Sequence, residues 1–188
     1  MSSSADFLPT ERLARRVAAE NKWLRLLEDR VRFRSGREAV HWKVDYAREG
    51  VGVIPLLENG RIILGLHWRY CTERWSWEIV AGGAEPGEEH AAAALRELEE
   101  ETGHRAESCT FLQDYFPAPG LGNEHFHIYL ATGLTPTGDA VDAEEIYTLK
   151  NVDHAEFERM VQEGAITDGF TLTAVYLAKA RGLIWNAD

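Results

Sequence analysis

The chain has 188 residues, 45% of them hydrophobic and 27% charged, which is enough for one domain with a full core, short for two, and unlike a disordered chain. Its net charge of -11 is unevenly divided: residues 1–50 carry 11 Lys/Arg against 8 Asp/Glu, and residues 51–188 carry 9 against 23. Such a surface repels a nucleic-acid backbone, while a small phosphorylated ligand stays accessible where metal ions offset the repulsion locally.

Cys71 and Cys109 show neither CxxC spacing nor the density of a disulfide scaffold, so two reduced thiols are expected. No 18-residue apolar run is present, which argues against a membrane helix. The start, Met1 to Asp6, lacks the basic head and apolar stretch of a secretory signal. A cytoplasmic protein without membrane or nucleic-acid partners is the expectation.

In chain order, the first six residues read as disordered, and a short helix is expected over 9–21 with Thr10 as its cap and Arg12, Arg15 and Arg16 facing solvent. Broken strand-like stretches follow at 23–26 and 31–33, with a turn at Ser35-Gly36. Alternation and β-branched content predict strands near 51–57 and 61–68. Asn59-Gly60 between them is a hairpin signal, because both residues tolerate the positive φ of a tight turn. Residues 75–80 read as another strand, and 81–87, with three glycines and a proline, as an irregular loop.

A helix is expected from about residue 88 to Thr102, stopping at Gly103, a natural C′ residue. Strands are expected near 109–115 and 125–132 around the turn-rich segment 117–123. A short strand near 145–150, a helix near 153–163 and a last helix over roughly 170–181 complete the chain. Strands interspersed with helices and joined by hairpin-like connections predict an α+β domain around a mixed sheet. Residues 1–48 form an N-terminal helix and strands that could serve as a dimerisation or swapped arm, and residues 49–188 form the main domain.

The informative segment is 82–104, where seven glutamates stand against one arginine. At about 100° per residue, Glu101 lies about 40° from Glu97 and Glu100 about 60° to the other side, so the three share one helix face. Ala91, Leu95, Leu98 and Thr102 form a narrow stripe expected to be buried. Like charges at i,i+4 oppose helix formation, so Glu97 and Glu101 need a compensating partner or good solvation. Mg²⁺ or Mn²⁺ suits their oxygen chemistry; a solvated acidic face over a core stripe is the plainer reading. The glycine-rich turn just before the helix favours the metal, since it lets backbone groups approach a phosphate or ion closely. Neither GxxxxGK[ST] nor GxGxxG is present. His67, His90, His125 and His127 form no HxxxH or HExxH, so none is read as a zinc ligand.

Gly82, five residues to Glu88, then seven to Arg96-Glu97-Leu98-Glu99-Glu100-Glu101-Thr102-Gly103 resembles the Nudix box in every charged and glycine position. His104 departs from it where the family usually has an aliphatic residue. Arg69-Tyr70 with Arg74 to Gly83, Tyr115 to Gly120 with Glu124, and Gly164 to Thr171 are similar to the ADP-ribose pyrophosphatase branch of nucleoside-diphosphate-sugar hydrolases. The likeness covers roughly residues 50–180. Val80 replaces a usual proline, and Leu66-His67-Trp68 a usual Arg-Gln-Tyr-like stretch.

The resemblance implies a Nudix-type α/β/α sandwich around a mixed β-sheet. It also implies Mg²⁺-dependent hydrolysis of the diphosphate of ADP-ribose to AMP and ribose 5-phosphate, by a homodimer with an exchanged N-terminal region. Glu97 and Glu101 would then be the principal metal carboxylates, with Glu100 bridging or assisting and the Ala81 carbonyl adding a backbone oxygen. Gly82 and Gly103 shape the box. Arg96 either holds the glutamates or contacts substrate, and Glu88 links loop and helix. Glu144, with Glu145 as the second choice, would orient the attacking water, unless 142–146 is an ordinary acidic surface loop. Arg69 and Arg74 are candidates for phosphate contact, Glu78 and Glu124 for substrate polar atoms, and one of Trp68, Trp75 and Trp77 for base stacking; surface or core placement is the alternative for each. Another nucleotide sugar, a GDP-sugar, or a nucleoside triphosphate is an alternative substrate, and a non-catalytic nucleotide-binding module is an alternative of another class.

Overall fold

The structure is a computed structural model that describes residues 9–138 and 146–185. The chain divides into two compact units, one of residues 1–48 with 118–124 and one of 49–117 with 125–188. Glu144 and Glu145 lie outside the described residues.

In the first unit, β1 (Thr10–Glu20), β2 (Leu24–Phe33) and β3 (Glu38–Tyr46) form an antiparallel sheet in the order β1-β2-β3. The helix expected over 9–21 is therefore a strand. Its alanines and arginines favour helix locally, but β2 supplies cross-strand partners: Arg15 faces Asp29 and Arg16 faces Glu28, in ion pairs of 2.7 and 2.6 Å. Pairing outweighs propensity here. Register shifts between Arg12 and Ala14 and between Val17 and Ala19 also break the two-residue alternation by which a strand is read.

The stretches 23–26 and 31–33 belong to one continuous strand, β2, which buries Leu27, Asp29 and Val31 on one face. The expected turn at Ser35-Gly36 is present, with Gly36 at φ +83°. Val44 donates its N–H to Leu121 O at 2.9 Å, which is why this unit takes in 118–124 as well as the N-terminal residues.

The second unit is an α+β fold, a mixed sheet flanked by helices. β4 (Gly50–Pro55) runs antiparallel to β7 (Val80–Gly83) and parallel to β9 (Phe126–Pro136), which pairs with β8 (His104–Tyr115) to give the order β7-β4-β9-β8. β5 (Ile62–Arg69) is the centre of an antiparallel sheet, β10-β5-β6, with β6 (Arg74–Glu78) and β10 (Ile146–Val152). Every residue of β4 is buried because both of its faces are covered. Val51 and Val53 pack with Ala93, Ala94 and Leu98 of helix α1 (His90–Thr102). Ile54 packs with Leu64, Ile79, and residues of α2 (His154–Gln162) and α3 (Gly169–Ala180) such as Phe157 and Val175.

Two expected elements are rearranged. The Asn59-Gly60 turn forms, with Gly60 at φ +77° and its N–H on Leu57 O, but past the bridge Leu56–Ile62 the strands part into different sheets. The strand read over 75–80 breaks at Ile79, whose N–H leaves the ladder for Thr171 Oγ1 at 3.0 Å. The chain then enters the other sheet, so Ala81 to Gly83, expected in a loop, are β7. Nearby, Trp77 N–H donates to Ala165 O and Thr167 N–H to Ser76 Oγ.

Asp153 and Asp168 cap α2 and α3 with side-chain oxygens on Glu156 N and Thr171 N, satisfying donors a helix start leaves open. Cys71 and Cys109 are free thiols, and burial pushes Cys109 up to about 11. No helix among the described residues is long and apolar enough to cross a membrane.

The Arg15 guanidinium grips Asp29 through two hydrogen bonds of 2.7 Å and holds its carboxyl below the ordinary value of 3.8. A depressed carboxyl stabilises the fold fully above its unfolded value and loses that contribution as pH falls through the folded one. Asp29→Asn is therefore expected to lower the urea midpoint at neutral pH, with the gap to wild type closing in acid. A gap that persists to about pH 2 rules this out.

Candidate active site

α1 begins after Glu89 and ends at Gly103, which takes the left-handed conformation at φ +64° and donates its N–H to Glu99 O at 2.9 Å. Its buried residues are Ala93, Ala94, Leu98, Glu101 and Thr102. Leu95, expected in the buried stripe, is 36% exposed, and Ala91 is half-buried. The i,i+4,i+7 set Ala94-Leu98-Glu101 faces the sheet instead, which turns one of the three glutamates inward.

Arg96 organises the glutamate face. Its Nη1 donates to Glu97 Oε1 at 2.8 Å and Glu100 Oε2 at 3.0 Å, its Nε to Glu88 Oε1 at 3.1 Å, and its Nη2 to Gly83 O at 3.1 Å. Glu88 also accepts the N–H of Glu85 at 2.8 Å, so it joins the loop to the helix. The Arg96 charge, first through Glu88 and then through Glu97 and Glu100, is held more firmly than usual, and Glu88 is held below the usual carboxylate range by Arg96 and that N–H. Glu97 lies against the backbone of β7: a Cβ added to Gly82 would fall 2.1 Å from its carboxylate. Glu101 is 3% exposed.

A divalent ion fits this donor set. Its side-chain donors are carboxylate oxygens, the ligands a hard cation prefers. The missing side chain at Gly82 leaves Glu97 room beside the β7 backbone that includes Ala81. In the structure, Glu97 and Glu100 are turned towards Arg96.

Other residues singled out from sequence are placed as follows. Arg69 and Glu78, considered separately for substrate contact, form an ion pair that reaches diagonally between β5 and β6, with Arg69 Nη2 donating to Glu78 Oε2 at 2.6 Å. Burial nevertheless pushes the Glu78 carboxyl above its usual range, outweighing Arg69. Arg74 is exposed, opposite Arg69 in the ladder. Trp68 and Trp75 are exposed and adjacent, and Trp75 meets Tyr147 edge-on, whereas Trp77 packs against the core. Val80 pairs with Val53 in the β4–β7 ladder and is buried. His104 opens β8 and places Nδ1 2.8 Å from Thr102 O. Glu124 belongs to the first unit, where burial raises its carboxyl.

A Glu/His/His cluster capable of coordinating a divalent metal lies elsewhere in the second unit: the ligand atoms of Glu49, His90 and His127 are all within 4.8 Å of one another. Local spacing motifs missed it because its members come from three distant parts of the chain. The usable signal was His125-Phe126-His127, whose two-residue period places both imidazoles on one face of a strand.

A fully buried central strand between α1 on one face and α2 and α3 on the other defines an α/β/α sandwich that presents a carboxylate helix beside a glycine strand. A model of the NUDIX domain matches residues 47–168, and the chain belongs to the NUDIX family. Membership gives the coarse activity, hydrolysis of a diphosphate in a nucleotide-derived substrate.

Among its relatives is a methanol dehydrogenase activator of Bacillus methanolicus, 35% identical over 66% of this chain and 69% of that protein. An ADP-ribose pyrophosphatase of Bacillus subtilis is 33% identical over the same shares. The crystal structure of an ADP compounds hydrolase matches the fold with a TM-score of 0.81 at 24% identity, over 94% of this chain and 98% of that one.

Gly82→Ala is expected to fold, because the group a Cβ would meet is the movable end of Glu97. Displacing that carboxylate should cost activity about 10- to 100-fold, the scale of a small misplacement at a reacting centre. It should also weaken Mg²⁺ binding in calorimetry; unchanged Mg²⁺ affinity and turnover would refute the placement.

Proposed function

We propose that the protein hydrolyses the diphosphate of ADP-ribose to AMP and ribose 5-phosphate with Mg²⁺, for which Mn²⁺ can substitute, as a cytoplasmic homodimer. The observation that carries the reading is the complete set of box carboxylates, Glu97, Glu100 and Glu101, on a helix set against Gly82. The name of the Bacillus subtilis relative supports the choice of ADP-ribose.

Bound at the glutamate face, Mg²⁺ supplies neutralisation of the non-bridging phosphate oxygens and a lower pKa for the attacking water. Glu97 and Glu101 are its principal holders, Glu100 assists, and the Ala81 carbonyl adds a backbone oxygen. Arg96 keeps Glu97 and Glu100 directed, and Gly83, through its carbonyl, fixes Arg96 in turn. Arg74 and Arg69 bind phosphate oxygens, with guanidinium geometry suited to the task. Glu78 receives polar atoms of ribose or adenine. Glu144 or Glu145 orients the water and accepts its proton. The water oxygen bonds to one phosphorus, and the bond from that phosphorus to the bridging oxygen breaks, releasing the two monophosphates.

Free thiols at Cys71 and Cys109 fit a reducing compartment. The homodimer is supported by the first unit, where Trp23, Val40 and Trp42 are exposed, more apolar surface than a small unit ordinarily leaves in water. Light scattering at micromolar concentration is expected to give twice 21.2 kDa; a monomer removes the dimer from the reading.

Glu101→Gln is expected to retain the fold and lose turnover at least ~100-fold, since a charged ligand is removed where transition-state charge is neutralised. Near-wild-type turnover at saturating Mg²⁺ would sink that assignment. In a substrate panel scored for AMP, GMP, ribose 5-phosphate and pyrophosphate, ADP-ribose should lead, because polar groups built for one base go unsatisfied with another. If kcat/KM for a GDP-sugar or a nucleoside triphosphate exceeds that for ADP-ribose by more than about 10-fold, the substrate is misassigned while the diphosphate chemistry stands. No turnover of any of them would favour a binding module.

A further inference from the structure

The Glu49, His90 and His127 cluster lies at the opposite end of α1 from the glutamate face. His90 is the first residue of the helix, and at 1.5 Å per residue it precedes Glu97 by about 10 Å and Glu101 by about 16 Å along the axis. Both histidines aim the same nitrogen at one carboxylate oxygen: His90 Nε2 is 3.1 Å and His127 Nε2 2.6 Å from Glu49 Oε2. His125 stands beside them, its Nδ1 3.5 Å from that oxygen and its Nε2 2.7 Å from Asp114 Oδ2.

The cluster is framed rather than loose. The His90 and His127 rings stack at 3.7 Å, His125 stacks on Phe116 at 4.4 Å, and the His127 side chain is only 12% exposed. Ala84 N–H on Glu49 O at 3.0 Å fixes the backbone of the carboxylate residue, while the β4–β9 ladder fixes that of His127.

We infer that Glu49, His90 and His127 form a second metal site, separate from the glutamate face, that takes a divalent transition ion of the Zn²⁺, Co²⁺ or Ni²⁺ class. Two imidazoles and one carboxylate are the donors such ions prefer, whereas Mg²⁺ prefers oxygen alone. Coordination requires each ring to point a nitrogen lone pair at the ion in its own plane, so one of the stacked rings must turn. His90, one-third exposed at the helix start, has the room to do so. Asp114, bonded to His125, orients that ring as a carboxylate orients a histidine around many metal sites, which leaves His125 Nδ1 directed towards the cluster as an additional donor. Neither Glu49 nor any of these histidines has a role in the hydrolysis described above, so the site stands or falls independently of it.

The test is a Co²⁺ titration of the metal-stripped full-length chain in excess Mg²⁺, followed by calorimetry and by the visible absorption of bound Co²⁺. The expected result is one equivalent bound with a visible band, displaced by Zn²⁺. His127→Gln and His90→Asn should each weaken binding at least ~10-fold, the order seen when support around a metal is lost, and Glu101→Gln should leave it unchanged. His90→Asn alters a partly exposed position and keeps the test valid should His127→Gln fail to fold. The inference is overturned if no Co²⁺ binds in excess Mg²⁺. It is equally overturned if binding survives the histidine substitutions in folded protein, or if it disappears with Glu101→Gln.

Discussion

One guanidinium makes the acidic face of α1 physically tenable. Glutamates a turn apart on a helix repel, and no lysine or histidine lies between Arg96 and Gly103 to offset them. Arg96 reaches Glu97, Glu100, Glu88 and the Gly83 carbonyl at once, which uses the several donors of a planar fork as a lysine ammonium could not. The same contacts tie the end of β7 to the loop and the loop to the helix, so the face and its position against the sheet have a common cause. A cation arriving at Glu97 or Glu100 meets carboxylates already ordered by a positive charge, and it must share them with Arg96. Any metal held at this face would thus compete with Arg96 for the same carboxylates.

The parts of this arrangement legible in the sequence are the local ones. Gly103 as a helix stop, the neighbouring placement of Glu97 and Glu100, and the turn at Asn59-Gly60 follow from spacing within a few residues, and α1, α2 and α3 begin and end close to where caps and glycines place them. Features set by distant partners were not legible. β1 looks helical until β2 is set beside it with Asp29 and Glu28 opposite its arginines. The inward turn of Glu101 depends on which side of α1 meets β4 and β7. Arg69 and Glu78 looked like two separate ligands for substrate, and only the reach of the Arg69 side chain diagonally between β5 and β6 makes them one ion pair. Glu49, His90 and His127 are joined by the order β7-β4-β9, which no local motif encodes.

The two sheets also divide the work of the second unit. β4, buried on both faces, is the rigid reference against which α1 is positioned, and its alternation of Val51 and Val53 with Ile54 assigns one core to the glutamate helix and another to α2 and α3. The three-stranded sheet carries the polar and aromatic residues, Arg69, Glu78, Trp68 and Trp75, on strands with an exposed end. The glutamate helix therefore rests on one sheet and these residues stand on the other, and the segment from Arg74 to Gly83 is one covalent link between them.

That link is fastened at its midpoint by Thr171, which lies 92 residues further along the chain and takes the Ile79 N–H. Long sequence separation delays a contact, because the intervening loop must first be closed against its entropy. During synthesis on the ribosome, β4, β5, β6 and α1 all emerge well before α3 can supply this bond, together with the neighbouring Ala165 and Thr167 contacts. The nascent segment therefore waits, with Ile79 at the crossing between sheets still unlatched, until α3 has left the exit tunnel. Completion of the crossing between the sheets is in this way timed by the synthesis of α3.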